Sequence, residues 1–188
     1  TSLVLLDLSS AFDTVDPGIL LYVLPRRYGI DGVASRWFQS YLQDRSQTFM
    51  VNGNKSTTHR VVCSVPQDSC LGPTEFIAYT ESVTSVFGRH DINHQPFADD
   101  KQAYASTPLE GVDDVRGRLR DCVIDISNWC ASSRLQLNEN KTELAWFGKR
   151  SRLNKLANME RTVTVGASVI QPATVVRDLG VLLDKETS

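Results

Sequence analysis

Two adjacent carboxylates, Asp99 and Asp100, stand between two strand-like runs, Ile92 to Phe97 and Gln102 to Ala105. No other stretch constrains the chain as much. A connection that short turns the backbone antiparallel to itself, so it imposes a hairpin with two negative charges at its tip. Leu3 to Leu8 is a third such run, apolar except for Asp7 near its end, and it reads as a buried strand. A charge closing an apolar strand is costly unless it serves something. If the three strands pair side by side, Asp7, Asp99 and Asp100 converge on one sheet edge. Carboxylates ~4 Å apart repel by about 1 kcal/mol in water and about 4 kcal/mol at the effective dielectric of a protein surface. A divalent cation among them, or a proton on one, relieves that repulsion. Carboxylate oxygens are the ligands Mg²⁺ prefers, and two such ions can clamp the attacking and leaving oxygens of a phosphoryl transfer. On spacing alone, an ordinary surface turn is the simpler account of Asp99-Asp100.

The remaining elements fit around such a sheet. Asp16-Pro17 predicts a helix start, an N-cap acceptor followed by proline at the first helical position. That helix runs through Leu20, Leu21 and Leu24 to a stop near Gly29, and Asp16 is read as a cap and nothing more. A second helix follows from Asp31, with Val33, Trp37 and Tyr41 at i, i+4 spacing. Residues 47–63, broken by Asn52-Gly53, read as a hairpin. Gly72-Pro73 opens a helix through Phe76 and Ile77 toward Val86. Leu109, Val112, Val115, Leu119, Cys122, Ile126 and Trp129 recur at three- and four-residue steps and predict a long amphipathic helix. Thr142 to Phe147 reads as a strand, and residues 161–183 as two or three short strands. Strands and helices mix without strict alternation. The expected fold is therefore α+β, an antiparallel sheet with helices packed on one face, in a single domain over residues 1–188.

Composition narrows the function classes. A net charge of −2 is unlike a free-standing nucleic-acid binder. Arg116, Arg118 and Arg120 form one basic cluster, and Lys149, Arg150, Arg152 and Lys155 another. Each reads first as a solvated face. The four cysteines, Cys63, Cys70, Cys122 and Cys130, show neither C-x-x-C pairing nor histidines at zinc spacing, and are expected to be reduced intracellular thiols. No apolar stretch reaches the ~18 residues of a membrane span, and no signal peptide is visible. The chain starts and stops against apolar runs, so both ends are expected to be cuts in a longer protein.

Leu5-Leu6-Asp7-Leu8-Ser9-Ser10-Ala11-Phe12-Asp13-Thr14-Val15-Asp16 resembles the first palm motif of jockey-like reverse transcriptases from non-LTR (LINE-type) retrotransposons. Pro66-Gln67-Asp68-Ser69-Cys70-Leu71-Gly72-Pro73 resembles the second motif, and Phe97-Ala98-Asp99-Asp100 the third. Leu137-Asn138 with Lys141-Thr142-Glu143 resembles the fourth, and Arg177-Asp178-Leu179-Gly180-Val181 the fifth, the primer-grip region. The spacer Trp37 to Arg45 is similar as well. The resemblance covers nearly the whole chain, in the family's order.

The resemblance implies a polymerase palm with fingers and thumb largely outside this chain. It implies an RNA-directed DNA polymerase that adds deoxynucleotides to a primer 3′-hydroxyl using two Mg²⁺ (or Mn²⁺) ions. Asp7 and Asp99 would bridge the ions, Asp100 would complete the cluster, and the Leu8 carbonyl would help hold one ion. Phe12 would gate the sugar, with a core aromatic as its alternative. Gln67 and Ser69 would line the nucleotide and template pocket. Lys141 would lie near the triphosphate, unless it is a plain surface lysine. Leu179, Gly180 and Val181 would support the primer end, unless they are core strand. The implied partners are an RNA template, a DNA primer and deoxynucleoside triphosphates, without a membrane, in the nucleus or cytoplasm. The sequence leaves the oligomeric state open. Residues 1–188 alone are expected to be inactive.

This chain departs from the family pattern at three places. Ser64 and Asp68 stand where glycine is usual, and Lys101 where threonine is usual. Asp68 places a negative charge where backbone should approach an anionic substrate. A decayed or co-opted palm, non-catalytic but retaining some nucleic-acid binding, is the alternative function. An unrelated Mg²⁺-dependent phosphotransferase does not explain the order of the motifs.

Overall fold

The computed structural model describes residues 1–97, 100–166 and 168–186. The chain opens with β1 (Ser2–Leu6), a one-turn α1 (Ala11–Thr14), α2 (Pro17–Tyr28) and α3 (Gly32–Leu42). Four short strands follow, β2 (Arg45–Gln47), β3 (Met50–Val51), β4 (Asn54–Lys55) and β5 (His59–Val61). Next come α4 (Gly72–Thr80), α5 (Thr84–Arg89), β6 (Asn93–Phe97), β7 (Asp100–Ala105), α6 (Val112–Ser132) and β8 (Glu143–Trp146). The last elements are α7 (Arg150–Leu156), β9 (Val163–Val165), β10 (Ser168–Ile170), β11 (Pro172–Ala173), β12 (Val175–Asp178) and β13 (Val181–Asp184). They form two compact units. One is Thr1–Ser9, Ser82–Ser132 and Gln136–Ser188, and the other is Ser10–Glu81 and Ser133–Leu135.

The first unit is built on a five-stranded sheet in the order β11-β8-β1-β7-β6. All its pairings are antiparallel except the short edge pair β11 and β8. β1 lies at the centre between β7 and β8, which explains its near-continuous apolar run: Val4 and Leu6 are buried from one side and Leu3 from the other. Each such side chain contributes about 1.5–3 kcal/mol by leaving water. On β7 the buried residues alternate, Lys101, Ala103 and Ala105, as a strand's period of two requires. The α6 stripe, including Val115, Leu119, Ile126 and Cys130, is buried on this side. The Lys101 charge acts on the Cys130 thiol, which burial pushes up to about 12. On the other face Leu3, Ala145 and Val176 form a core, and Leu5, Phe147, Ala173 and Leu183 pack against it. The β12–β13 hairpin therefore lies over the odd-numbered residues of β1.

The second unit holds α1 to α4 and the small strands. Asp16 caps α2 as expected, its carboxylate accepting from the Ile19 N–H at 3.0 Å. It does more than cap: Arg134 pairs with it, and the Tyr79 hydroxyl accepts from its main-chain N–H at 3.3 Å. Asn52 and Gly53, at φ 50° and 79°, turn the β3–β4 hairpin, a connection that needs positive φ at both positions. β2 and β5 extend the same arm.

Four expectations need correction. The helix begun at Gly72 ends at Thr80, and a 3-10 turn, Glu81–Val83, separates it from α5. Within α4 the core takes Glu75 and Phe76, whereas Ile77 is 53% exposed. The Val33/Trp37/Tyr41 stripe of α3 is formed, with Trp37 stacked on Tyr41, but Val33 and Trp37 face solvent and only Leu42 is buried. Residues 161–183 make five short strands, preceded by a helix, α7, inside the second basic cluster.

Candidate active site

Asp7 immediately follows β1. The β1–β7 ladder runs from Ser2 opposite Ala105 to Leu6 opposite Lys101, so one further step sets Asp7 opposite Asp100. Residues directly opposite in an antiparallel pair lie ~4.5–5.5 Å apart at Cβ and point to the same face. Asp7 and Asp100 therefore share the odd face of β1, the side covered by β12–β13, rather than the α6 side to which Lys101 points. Phe97 opposite Asp100 closes the β6–β7 hairpin. Asp99, expected to bridge the ions, lies outside the described residues with Ala98. Both acids line a cleft of about 330 Å³ that also takes Gln102, Lys141, Glu143 and Arg177. Gln102 Nε2 donates to Asp178 Oδ1 at 2.6 Å and ties the hairpin to this face.

Residues 136–138 hold Asp7 in place. The Asn138 N–H donates to the Asp7 carbonyl at 2.8 Å and the Ser9 N–H to the Gln136 carbonyl at 2.8 Å, with Leu8 bridged to Leu137. Asn138 also reaches the carboxylate itself, Nδ2 donating to Asp7 Oδ2 at 3.2 Å. The same oxygen receives Lys141 Nζ at 3.4 Å. The Asp7 side chain is 18% exposed and that of Lys141 69%. Lys141 thus lies at the surface with its ammonium on a candidate catalytic acid. Leu8 is buried. Leu179 and Gly180, at φ 46° and 85°, form the turn between β12 and β13. Leu179 and Val181 are exposed, which sets aside the core-strand alternative for both.

The second unit carries the second motif. Phe12 stacks on Phe76 with centroids 4.7 Å apart. Gln67 Nε2 donates to Asp13 Oδ1 at 2.7 Å. Ser69 Oγ donates to the Pro66 carbonyl at 2.7 Å and accepts from the Gly72 N–H at 2.9 Å, which folds the loop into α4. Gly72 is needed there, because a Cβ would sit 2.8 Å from the Pro66 carbonyl oxygen. Ser64 and Asp68 both have left-handed backbone, φ 103° and 55°, so the two glycine-to-side-chain departures fall where glycine costs least. Arg45 clamps the first, donating to the Ser64 carbonyl and hydroxyl. The Asp68 side chain is exposed.

Sequence reasoning missed two residues. Asn138 belongs to the fourth motif without an assigned role, and its hold on Asp7 is seen only in the folded chain's hydrogen bonds. Glu75 went unnoticed inside an apolar helix. It is 3% exposed, and neither carboxylate oxygen has a hydrogen-bond partner. Burial raises its pKa above the usual carboxyl value, and the nearby Arg45 charge offsets this only in part. Among the described residues no cluster of three or more His, Cys, Asp or Glu could hold a metal ion, and none of their helices is long and apolar enough to cross a membrane.

Known proteins resemble this chain along nearly its whole length. A family model for reverse transcriptase (RNA-dependent DNA polymerase) matches residues 1–180. A probable RNA-directed DNA polymerase from transposon X-element of Drosophila melanogaster is 28% identical over 96% of the chain. The RNA-directed DNA polymerase from mobile element jockey of the same organism is 23% identical over 96%. The chain spans 19% of the length of each relative. Among solved structures, an apo telomerase from Candida tropicalis, truncated from its C-terminal domain, superposes with a TM-score of 0.65 at 14% identity. That likeness covers 98% of this chain and 34% of the other.

Proposed function

The chain belongs to the reverse transcriptase (RNA-dependent DNA polymerase) family, and from that premise we propose that it is the palm region of a retrotransposon polymerase that extends a DNA primer along an RNA template. The observation that supports this reading is the register of β1 on β7, which brings Asp7 and Asp100 to one face at the mouth of a cleft. Two carboxylates side by side, with further oxygen donors nearby, are a donor set suited to a hard divalent cation. Asp7 and Asp100, with Asp99 and the Leu8 carbonyl as the resemblance has them, would hold Mg²⁺ or Mn²⁺. Two such ions supply charge neutralisation at the α-phosphate and an activated primer hydroxyl when bound.

The chain's own residues do the positioning. Asn138 holds Asp7 twice, its N–H on the Asp7 main-chain carbonyl and its side-chain amide on the carboxylate. The exposed turn Leu179-Gly180-Val181 offers an edge on which a primer end can rest. Gln67, Ser69 and Phe12 take the base and sugar of the incoming deoxynucleotide. A co-opted, non-catalytic palm is the second reading. It is favoured by Glu75, a buried carboxylate without a hydrogen-bond partner, and by Asp68, a charge in the nucleotide loop.

The test is primer extension on an RNA template by the full-length parent protein, with Asp7→Asn and Asp100→Asn beside the wild type. Extension lost to background in both, with melting temperatures preserved, is the expected result. Extension by Asp7→Asn at the wild-type rate ends the polymerase reading of this cleft, and an inactive wild type favours the co-opted palm.

A further inference from the structure

Asp7 Oδ2 is approached by two nitrogen donors of unlike character. Asn138 is anchored: its N–H is spent on the Asp7 carbonyl at 2.8 Å, and its carbonyl accepts from the Thr142 hydroxyl at 2.9 Å and the Lys141 N–H at 3.3 Å. Thr142 is itself buried. The Asn138 amide therefore stays wherever Asp7 stays. Lys141 is the last residue of a 3-10 turn, Glu139–Lys141, and its side chain is 69% exposed, with the Asp7 carboxylate as its ion-pair partner. At 3.4 Å the contact is longer than the ~2.7–2.9 Å of a tight ammonium–carboxylate hydrogen bond. A long flexible stem, wide exposure and a loose contact make this donor free to leave.

An ammonium and a divalent cation are rivals for one carboxylate. We propose that Lys141 is a displaceable counter-ion: it neutralises Asp7, gives way as a divalent cation takes that carboxylate, and is thereby released into the cleft as a free cation for a second anion. This rests on the reading of Asp7 as a metal ligand. Cation binding and anion binding are then linked through one side chain. The cation loses part of its affinity to the ammonium it must expel, and it leaves behind a positive charge able to meet a phosphate. The Asn138 amide is the fixed half of the pair and keeps the carboxylate oriented throughout the exchange.

The effect is within reach of measurement. An exposed ion pair is worth ~0.2–1 kcal/mol, so removing the ammonium should tighten cation binding roughly 1.5- to 5-fold. The probe is Mn²⁺, with free ion read by electron paramagnetic resonance at low salt on the 188-residue chain, and folding of every variant verified by its melting curve. Lys141→Met is compared with Arg177→Met. The latter removes an equal charge from the same cleft without touching Asp7, whereas Lys141→Arg retains the charge. The expected order is Lys141→Met tightest, with Arg177→Met and Lys141→Arg near wild type. Equal tightening by Lys141→Met and Arg177→Met overturns the proposal, since the cleft's overall charge then explains both, and so does no change in Lys141→Met. Asp7→Asn separates the two readings: if it binds Mn²⁺ like wild type, the metal site itself is misassigned. If it does not bind while Lys141→Met behaves as wild type, only the counter-ion role fails.

Discussion

Asp7 and Glu75 are two carboxylates withdrawn from bulk water, one in each unit, and the chain treats them in opposite ways. Asp7 ends a central strand at the mouth of a cleft and receives an amide and an ammonium on one oxygen. Glu75 sits inside α4, 3% exposed, with no hydrogen-bond donor for either oxygen. The first arrangement keeps a charge where it can be used. The second carries the desolvation cost of a polar group without hydrogen bonds, about 1–3 kcal/mol, which the Arg45 charge offsets only in part. A carboxylate's depth therefore says little about its purpose, and the donors around it say much more.

The largest expected effect tests the first half of that contrast. Asp7→Asn should eliminate the rise in melting temperature that Mn²⁺ gives the wild type, and a variant still stabilised by Mn²⁺ would break the contrast outright. The second half predicts the reverse sign. Glu75→Leu keeps a similar volume and removes the unpaired charge, so it should stabilise the fold by roughly 1–3 kcal/mol in urea unfolding. Loss of stability would mean that Glu75 has a partner after all.

A pH series sharpens the same point. The Glu75 pKa is raised in the folded state above its ordinary 4.5 because burial disfavours the charged form. The folded state then binds more protons than the unfolded one, and stability falls as pH climbs from about 4.5 through the raised value. The advantage of Glu75→Leu over wild type should be smallest near pH 4, grow with pH, and level off once Glu75 is ionised in both states. A difference independent of pH would show that lost packing, not charge, is what Leu changes.

The smallest stability effect belongs to a third carboxylate, Asp68, neither held nor buried. Its left-handed φ of 55° is a conformation Asp tolerates, and glycine brings more unfolded-state entropy. Asp68→Gly should therefore move stability by less than about 0.5 kcal/mol. In the full-length protein it should nevertheless lower the apparent KM for nucleotide, roughly tenfold if one like charge of ~1.4 kcal/mol is removed. An unchanged KM would place Asp68 away from the triphosphate.

The sequence was most legible where local rules act. The pairing of the two strands before and after the acidic pair, the Asp16-Pro17 cap, the Asn52-Gly53 turn and the α6 stripe each rest on a few neighbouring residues. The structure adheres to them within a residue or two. The failures share a different cause. α7 carries only Leu153 and Leu156 as apolar anchors among three cations, too few to register as a period. Glu75 breaks the hydrophobic pattern of α4 from within, so sequence assigned the buried face to Ile77. Asn138 acts on Asp7 across 131 positions, a distance no local pattern spans. The departures at Ser64 and Asp68 were visible as residue types, but their positive φ belongs to the folded loop.

The central pairing of β1 with β7 joins Ser2 to Ala105, 103 positions apart, and this has a consequence for how the protein comes into being. During synthesis, β1 leaves the ribosome long before either neighbouring strand exists. In the meantime it is an apolar, unpaired strand, the kind of segment that invites wrong partners. The intervening Ser10–Glu81 makes up nearly all of the other unit and can collapse on its own nearby contacts first, as low contact order favours. Loop closure over a hundred residues comes later and costs more entropy. Asp7 thus waits through most of translation for Asp100, and longer still for Asn138. A ribosome that stalls before β7 would release a chain whose second unit can be formed while its acid cleft has not begun to assemble.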